Sequence, residues 1–185
     1  MKNFLIVSIL AIILITGCKN KKDEKQDPPI SAISIIKGQL NKLDSSMYAF
    51  IKLERNGNRT DTTYLKREEV RNLAEPFLAL PDITDKKTYK KYTEERLIDA
   101  EQGTLSITST LKDNEDAEIQ KQMLIVGLVD GPSGNVKSIF IETAKKSGDV
   151  TIEQKLFWEI DKYFTVLIEK DTQPQKNNFM KVVWQ

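Results

Sequence analysis

The stretch "KQMLIVGLVDGPSGNVKSIFIET" (residues 121–143) decides the fold class. Two apolar runs of strand length flank the sequence GPSG at residues 131–134, whose composition is typical of a tight turn. A link this short joins antiparallel strands, because parallel neighbours need a crossover of a dozen residues or more. The first run is apolar on both faces, so we expect it to be the central strand of a sheet.

The same alternation of apolar and polar residues continues on both sides of this hairpin. The other alternating runs are residues 47–65, 94–111, 149–171 and 179–185. The first contains the turn sequence Asn56-Gly57, and the third turns near Asp161-Lys162. We therefore predict about nine strands in one large antiparallel sheet, and a twisted sheet of that size usually curls.

Two segments have helical spacing, residues 30–43 and residues 66–80. Pro76 must kink the second helix or end it near Glu75, because proline lacks the amide proton that the helix needs. Gly38 lies inside the first helix at a cost of about 1 kcal/mol relative to alanine, which predicts close packing against a neighbour. The predicted fold is α+β, a curved antiparallel sheet with two or three covering helices.

Composition argues against several classes of function. The chain has 185 residues, enough for one domain with a sizeable core. Its 28 basic and 27 acidic residues leave no global field that would attract nucleic acid. The absence of histidine removes the commonest general base and the commonest metal ligand. We expect no cofactor, no metal and no nucleic-acid partner.

The chain begins with "MKNFLIVSILAIILITGC", residues 1–18. Lys2 gives a basic start, and the apolar run Phe4–Ile15 is shorter than the roughly 20 residues that a membrane-spanning helix needs. Such a run is typical of a secretory signal peptide. The sequence that follows, Ile15-Thr16-Gly17-Cys18, resembles the lipobox of bacterial lipoproteins, and Cys18 is the sole cysteine.

This resemblance implies cleavage between Gly17 and Cys18 and attachment of lipid to Cys18. The chain would then divide into a signal peptide (1–17), a flexible polar linker (18–29) and a single α+β domain (30–185). It would be anchored in the cell envelope through the lipid. More than one acyl chain makes such an anchor stable.

The linker bears on the destination of the anchor. Lys19 stands where many inner-membrane lipoproteins carry aspartate, which by resemblance favours the outer membrane, either facing the periplasm or facing the surface. The run Lys21-Lys22-Asp23-Glu24 is similar to surface-export signals of Bacteroidetes lipoproteins, and an ordinary charged linker is the alternative. Anchoring to the single membrane of a Gram-positive host also stays open. The whole chain is similar to uncharacterised Bacteroidetes envelope lipoproteins, and residues 30–185 resemble no family of known function.

Two sets of side chains are candidates for a site. An aromatic set could line a pocket for a sugar or a lipid, although alternating aromatic residues in strands usually form core. Its main members are Tyr89, Tyr92, Trp158, Tyr163 and Trp184, with Phe179 as a further one. A carboxylate set could supply a glycosidase-like acid and base from Glu94, Glu95 and Asp99. Residues 113–118, "DNEDAE", lack the spacing of a calcium loop and are expected to be a solvated hairpin tip.

Three hypotheses for the function follow. The first is a noncatalytic binding or accessory subunit that docks on another envelope protein or a polymer. The second is a carrier or sensor of a hydrophobic ligand, in a cavity like that of the half-barrels that carry lipids in bacterial envelopes. The third and least favoured is a carboxylate-dependent hydrolase, so we expect a protein that is not an enzyme.

Overall fold

The computed structural model describes residues 29–57, 59–128, 135–170 and 178–185. The predicted signal peptide, the lipidation residue Cys18, its neighbour Gly17, nearly all of the linker and the turn at residues 131–134 lie outside this part. Within it, no helix has the length and apolar character needed to cross a membrane.

Nine strands and four short helices make up the described part of the chain. The helices are α1 (Ala32–Asp44), α2 (Arg67–Leu73), α3 (Glu75–Leu78) and α4 (Lys86–Tyr89). The strands are β1 (Phe50–Asn56), β2 (Arg59–Leu65), β3 (Tyr92–Asp99), β4 (Thr104–Leu111), β5 (Ile119–Gly127), β6 (Val136–Ser147), β7 (Val150–Glu159), β8 (Tyr163–Lys170) and β9 (Asn178–Trp184). The predicted α+β class is confirmed.

All nine strands form one sheet in the order β2-β1-β9-β8-β7-β6-β5-β4-β3, and every neighbouring pair is antiparallel. The middle position belongs to β7, and β5 is two strands in from the β3 edge. The prediction that β5 is central is therefore wrong. The reason is that β9 inserts between β8 and β1 and so adds the β1–β2 hairpin at the far end of the sheet.

The helices begin and end where local chemistry dictates. The Ser31 hydroxyl oxygen accepts a hydrogen bond of 3.0 Å from the Ser34 amide and so caps α1. At the predicted break, α2 ends at Leu73 and α3 begins at Glu75, with Pro76 in its first turn. The buried stripe of α1 consists of Ala32, Ile33, Ile36, Leu40 and Leu43. Helices α1 to α3 carry buried residues, whereas α4 carries none.

Gly38 does not serve close packing. Its position on α1 is exposed, and a Cβ atom built on its backbone meets nothing within 4 Å. The prediction of a tight contact there is wrong, and the helix carries the conformational cost of this glycine without a compensating contact.

The two faces of the sheet have different surroundings. All buried side chains of the strands lie on one face, the covered face, against which α1 to α3 pack. The other face, the open face, carries half-buried and exposed side chains, so no described element covers it. Its half-buried apolar side chains include Ile51, Leu53, Met123, Ile125, Phe140, Phe157, Tyr163 and Val183.

Candidate functional site

The two tryptophans of the predicted aromatic pocket belong to the core. Trp158 and Trp184 are buried on the covered face, with ring centroids 5.8 Å apart. Trp158 stacks on Phe164 at 4.9 Å, and Phe77 of α3 meets both of these rings edge-on. Neither indole Nε1 has a hydrogen-bond partner within the described structure. These aromatic rings therefore fill the space beneath the helices.

Tyr163 lies on the opposite side of the sheet from the tryptophans. It pairs with Val183 in β9, and alternation along β8 directs its ring to the open face. There the Lys181 Nζ atom is 3.7 Å from the ring centroid, and the Phe157 ring is 5.8 Å away. Tyr163 therefore cannot line a common cavity with Trp158.

Tyr89 and Tyr92 flank a small polar cluster near the β3 edge. The Tyr92 hydroxyl donates to the Ile119 carbonyl at 2.8 Å, and the Tyr89 hydroxyl donates to Glu94 Oε2 at 2.7 Å. The Glu94 side chain is 5% exposed and also accepts a 2.7 Å hydrogen bond from Arg96 Nε. Burial, followed by the hydrogen bond to Glu94, raises the pKa of Tyr89 to about 12.

The cavity at this cluster is small. Its volume is about 10 Å³, and a buried site of that size holds at most one water molecule. The five predicted aromatic residues are thus distributed among a filled core, the open face and this polar cluster. The structure does not bring them together around one ligand.

The candidate carboxylates are also separated. Glu94 belongs to the covered face, whereas Glu95 and Asp99 belong to the open face. These two lie four residues apart on β3, about 13 Å at 3.3 Å per residue, which exceeds the separations found in glycosidase pairs. Asp99 accepts hydrogen bonds of 3.0 Å from the amides of Glu101 and Gln102, so its carboxylate shapes a turn. Across the described ranges, no cluster of three or more acidic, cysteine or histidine residues is placed to hold a metal.

A groove between helices and sheet is much larger than the cavity beside Tyr89. It has a volume of about 340 Å³ and lies between the α2–α3 break and strands β8, β9 and β1. We call it the α2–α3 groove. Its lining consists of Glu54, Asn72, Leu73, Pro76, Val166, Ile168, Asn178, Phe179 and Met180.

Strand register gives the groove a polar end and an apolar end. Val166 and Met180 are paired, and Met180 in turn pairs with Glu54, so one row runs from β8 to β1. In the next row Ile168 pairs with Asn178. The β8 side of the floor is therefore aliphatic, and the opposite side carries a carboxylate and an amide.

The helices complete this arrangement from above. Leu73 and Pro76 supply apolar contacts at the break between the two helices, and Asn72 adds a second amide. At the polar end, Lys52 Nζ is 3.1 Å from Glu54 Oε2, and the Lys52 side chain is 19% exposed. The charge of the carboxylate is thus balanced by the neighbouring ammonium group of Lys52.

One residue that lines this groove, Phe179, belongs to the aromatic set predicted from the sequence. Alternation along β9 directs the Phe179 ring to the open face, where the Arg55 guanidinium is 5.6 Å from the ring centroid. The rest of the lining comes from three separate parts of the chain, namely β1, α2 with α3, and β8 with β9. No local pattern marked it, apart from the helix break at Pro76.

No protein-family model, curated protein or solved structure matches this chain. The features that bear on function are the N-terminal motif and the geometry of the groove.

Proposed function

We propose that the protein is a lipid-anchored, noncatalytic binding protein of the cell envelope, held in the membrane through Cys18. The sequence Ile15-Thr16-Gly17-Cys18 after a short apolar run supports the anchor. The outer membrane is the proposed destination because Lys19, and not aspartate, follows the cysteine. The linker at residues 18–29 would hold the domain at a distance from the bilayer.

The observation that carries the binding role is the α2–α3 groove. Its volume of about 340 Å³ falls within the range of roughly 300–1,000 Å³ that is typical of small-molecule sites. Its lining offers one carboxylate and two amides, and Lys52 pairs with that carboxylate. This lining suits recognition of a ligand by hydrogen bonds and apolar contacts.

Two kinds of partner are compatible with a binding role. An accessory subunit would dock on an envelope protein, and the half-buried apolar side chains of the open face support this possibility. A carrier or sensor would bind a hydrophobic ligand, and the apolar floor of the groove favours this second candidate.

Metabolic labelling tests the anchor. We expect a fatty acid with a terminal alkyne to label the wild-type chain and to leave a Cys18→Ala variant unlabelled. An Asn20→Ala variant is the matched control, since it changes the linker and preserves both residues of the cleavage site. Label on Cys18→Ala, or an unlabelled wild type that separates with the soluble fraction, would overturn the proposal.

A further inference from the structure

We propose that the α2–α3 groove binds one hydrocarbon chain of an amphiphile whose head group is uncharged or zwitterionic. The chain would lie on Val166, Ile168 and Met180, and the head would lie beside Asn178 and Glu54. This inference rests on the second candidate function above and specifies its ligand class.

The volume of the groove suits a single hydrocarbon chain. A methylene group occupies a volume close to that of one water molecule in the liquid, about 30 Å³, so 340 Å³ accommodates about eleven such groups. That capacity matches one medium-length chain, or part of a longer one. The two chains of a diacyl lipid would not fit together.

The apolar end of the groove leaves hydrocarbon surface in contact with water. Leu73, Ile168 and Met180 pack against the core but are only partly buried. Val166 beside them is 3% exposed, so the floor continues into the core. A chain seated there would remove this surface from water, which is favourable in proportion to the apolar area buried.

The charges at the polar end of the groove are balanced, which favours an uncharged or zwitterionic head group. None of the described residues that line the groove is a lysine or an arginine, and the acidic group among them, Glu54, is paired with Lys52. A free carboxylate or phosphate would therefore meet no unneutralised cation within this described lining. The side-chain amides of Asn72 and Asn178 each donate and accept hydrogen bonds, which suits a hydroxyl, ester or zwitterionic head.

Photocrosslinking of the full-length lipidated protein in vesicles of phosphatidylglycerol, whose anionic head group the groove is not expected to accept, tests this inference. The probe is a dodecyl chain with a terminal diazirine and a glycerol head, and labelled peptides are mapped by mass spectrometry. We expect label on the peptides that carry Leu73, Ile168 and Met180, and we expect excess unlabelled probe to abolish it.

A pair of matched variants shows whether the label depends on the groove. Asn178 and Asn114 are both exposed, but Asn178 lines the groove and Asn114 lies between β4 and β5. We expect Asn178→Phe to lower labelling by about tenfold or more, because the added ring would occupy the polar end of the groove, where the head group would lie. Asn114→Phe should label as the wild type does.

The results separate this inference from the proposed function. Label spread evenly along the chain, or equal label in both variants, would overturn binding in the groove. Equal label from a dodecanoic acid probe would overturn the selection of head group. Flotation of the same vesicles reports membrane anchoring independently, so failure of the groove and failure of the anchor would be distinguishable.

Discussion

The ring of Phe77 meets the indole of Trp158 edge-on, with centroids 5.3 Å apart and ring planes at 86°. Edge-to-face contacts of this kind are a preferred geometry for aromatic pairs. Phe77 belongs to the four-residue helix α3, and Trp158 belongs to β7 in the middle of the sheet. One side chain thus fixes the helix break, and with it one wall of the α2–α3 groove, to the most interior strand.

Phe77→Ala should therefore be strongly destabilising. Phe77 is fully buried, and large-to-small substitutions of buried aromatic residues cost about 3–5 kcal/mol. Urea unfolding followed by tryptophan fluorescence measures the change in the free energy of unfolding. Met47→Ala is the control, since Met47 is 97% exposed and its loss should cost less than about 0.5 kcal/mol. Equal effects of the two substitutions would show that Phe77 does not anchor α3.

Alanine substitutions at two glycines in open surroundings should change the stability of the protein in opposite directions. A Cβ atom at Gly38 or at Gly148 meets nothing within 4 Å, but Gly148 has φ +64°. Gly38→Ala should stabilise the protein by up to about 1 kcal/mol, because alanine favours the helix. Gly148→Ala should destabilise it by about 1–2 kcal/mol, because an L side chain is strained in the left-handed region. Thermal unfolding measures the change in stability of each variant. Changes of the same sign would contradict this reasoning from backbone conformation.

Tyr89 should give the stability a specific dependence on alkaline pH. Its pKa in the folded state is raised from 10.0 to about 12, chiefly by burial and then by Glu94. The stabilisation linked to this group is complete below pH 10 and is lost as the pH rises through about 12, because the folded state then holds a proton that the unfolded state has released.

We expect Tyr89→Phe to lose less stability than the wild type over this pH interval. Unfolding by urea at a series of alkaline pH values measures the difference. Tyr64→Phe is the control, because Tyr64 is 80% exposed on the open face. An identical pH profile for the wild type and Tyr89→Phe would show that the pKa of Tyr89 is not raised in the folded state.

Neighbouring positions in β9 should differ sharply in their tolerance of charge. Val182 is fully buried on the covered face and Lys181 lies half-buried on the open face. Val182→Asp places an unpaired carboxylate in the core and should abolish folding. Lys181→Asp should retain the folded circular dichroism spectrum. Folded protein from Val182→Asp would mean that β9 is not essential to the core.

The strands of this fold were predictable because each carries its own signal. Alternation in residues 149–160 placed Leu156 and Trp158 on one face, and both are fully buried. Alternation within one strand does not show which side chains of another strand lie on the same side of the sheet. The turn after Glu159 contains Asp161 at φ +61° and pairs Glu159 with Tyr163, which puts Tyr163 on the face opposite Trp158. Sequence alone does not fix the length of that turn.

The groove was not predictable for a related reason. Its floor depends on β9 lying between β8 and β1, a pairing that joins residues far apart in the chain and leaves no local pattern. Gly38 shows another limit of prediction from sequence. A glycine in a helix has the same propensity cost whether or not a neighbouring element packs closely against it.

The position of β9 also determines when this protein can fold. The β1–β2 hairpin joins the rest of the sheet only through the last strand of the described chain, and Phe50 pairs with Trp184. Closing so long a loop is entropically costly and slows folding. During synthesis the hairpin cannot join the rest of the sheet until β9 has left the ribosome. For a chain that crosses a membrane unfolded, as the proposed signal peptide would require, this pairing postpones completion of the sheet until β9 has been synthesised.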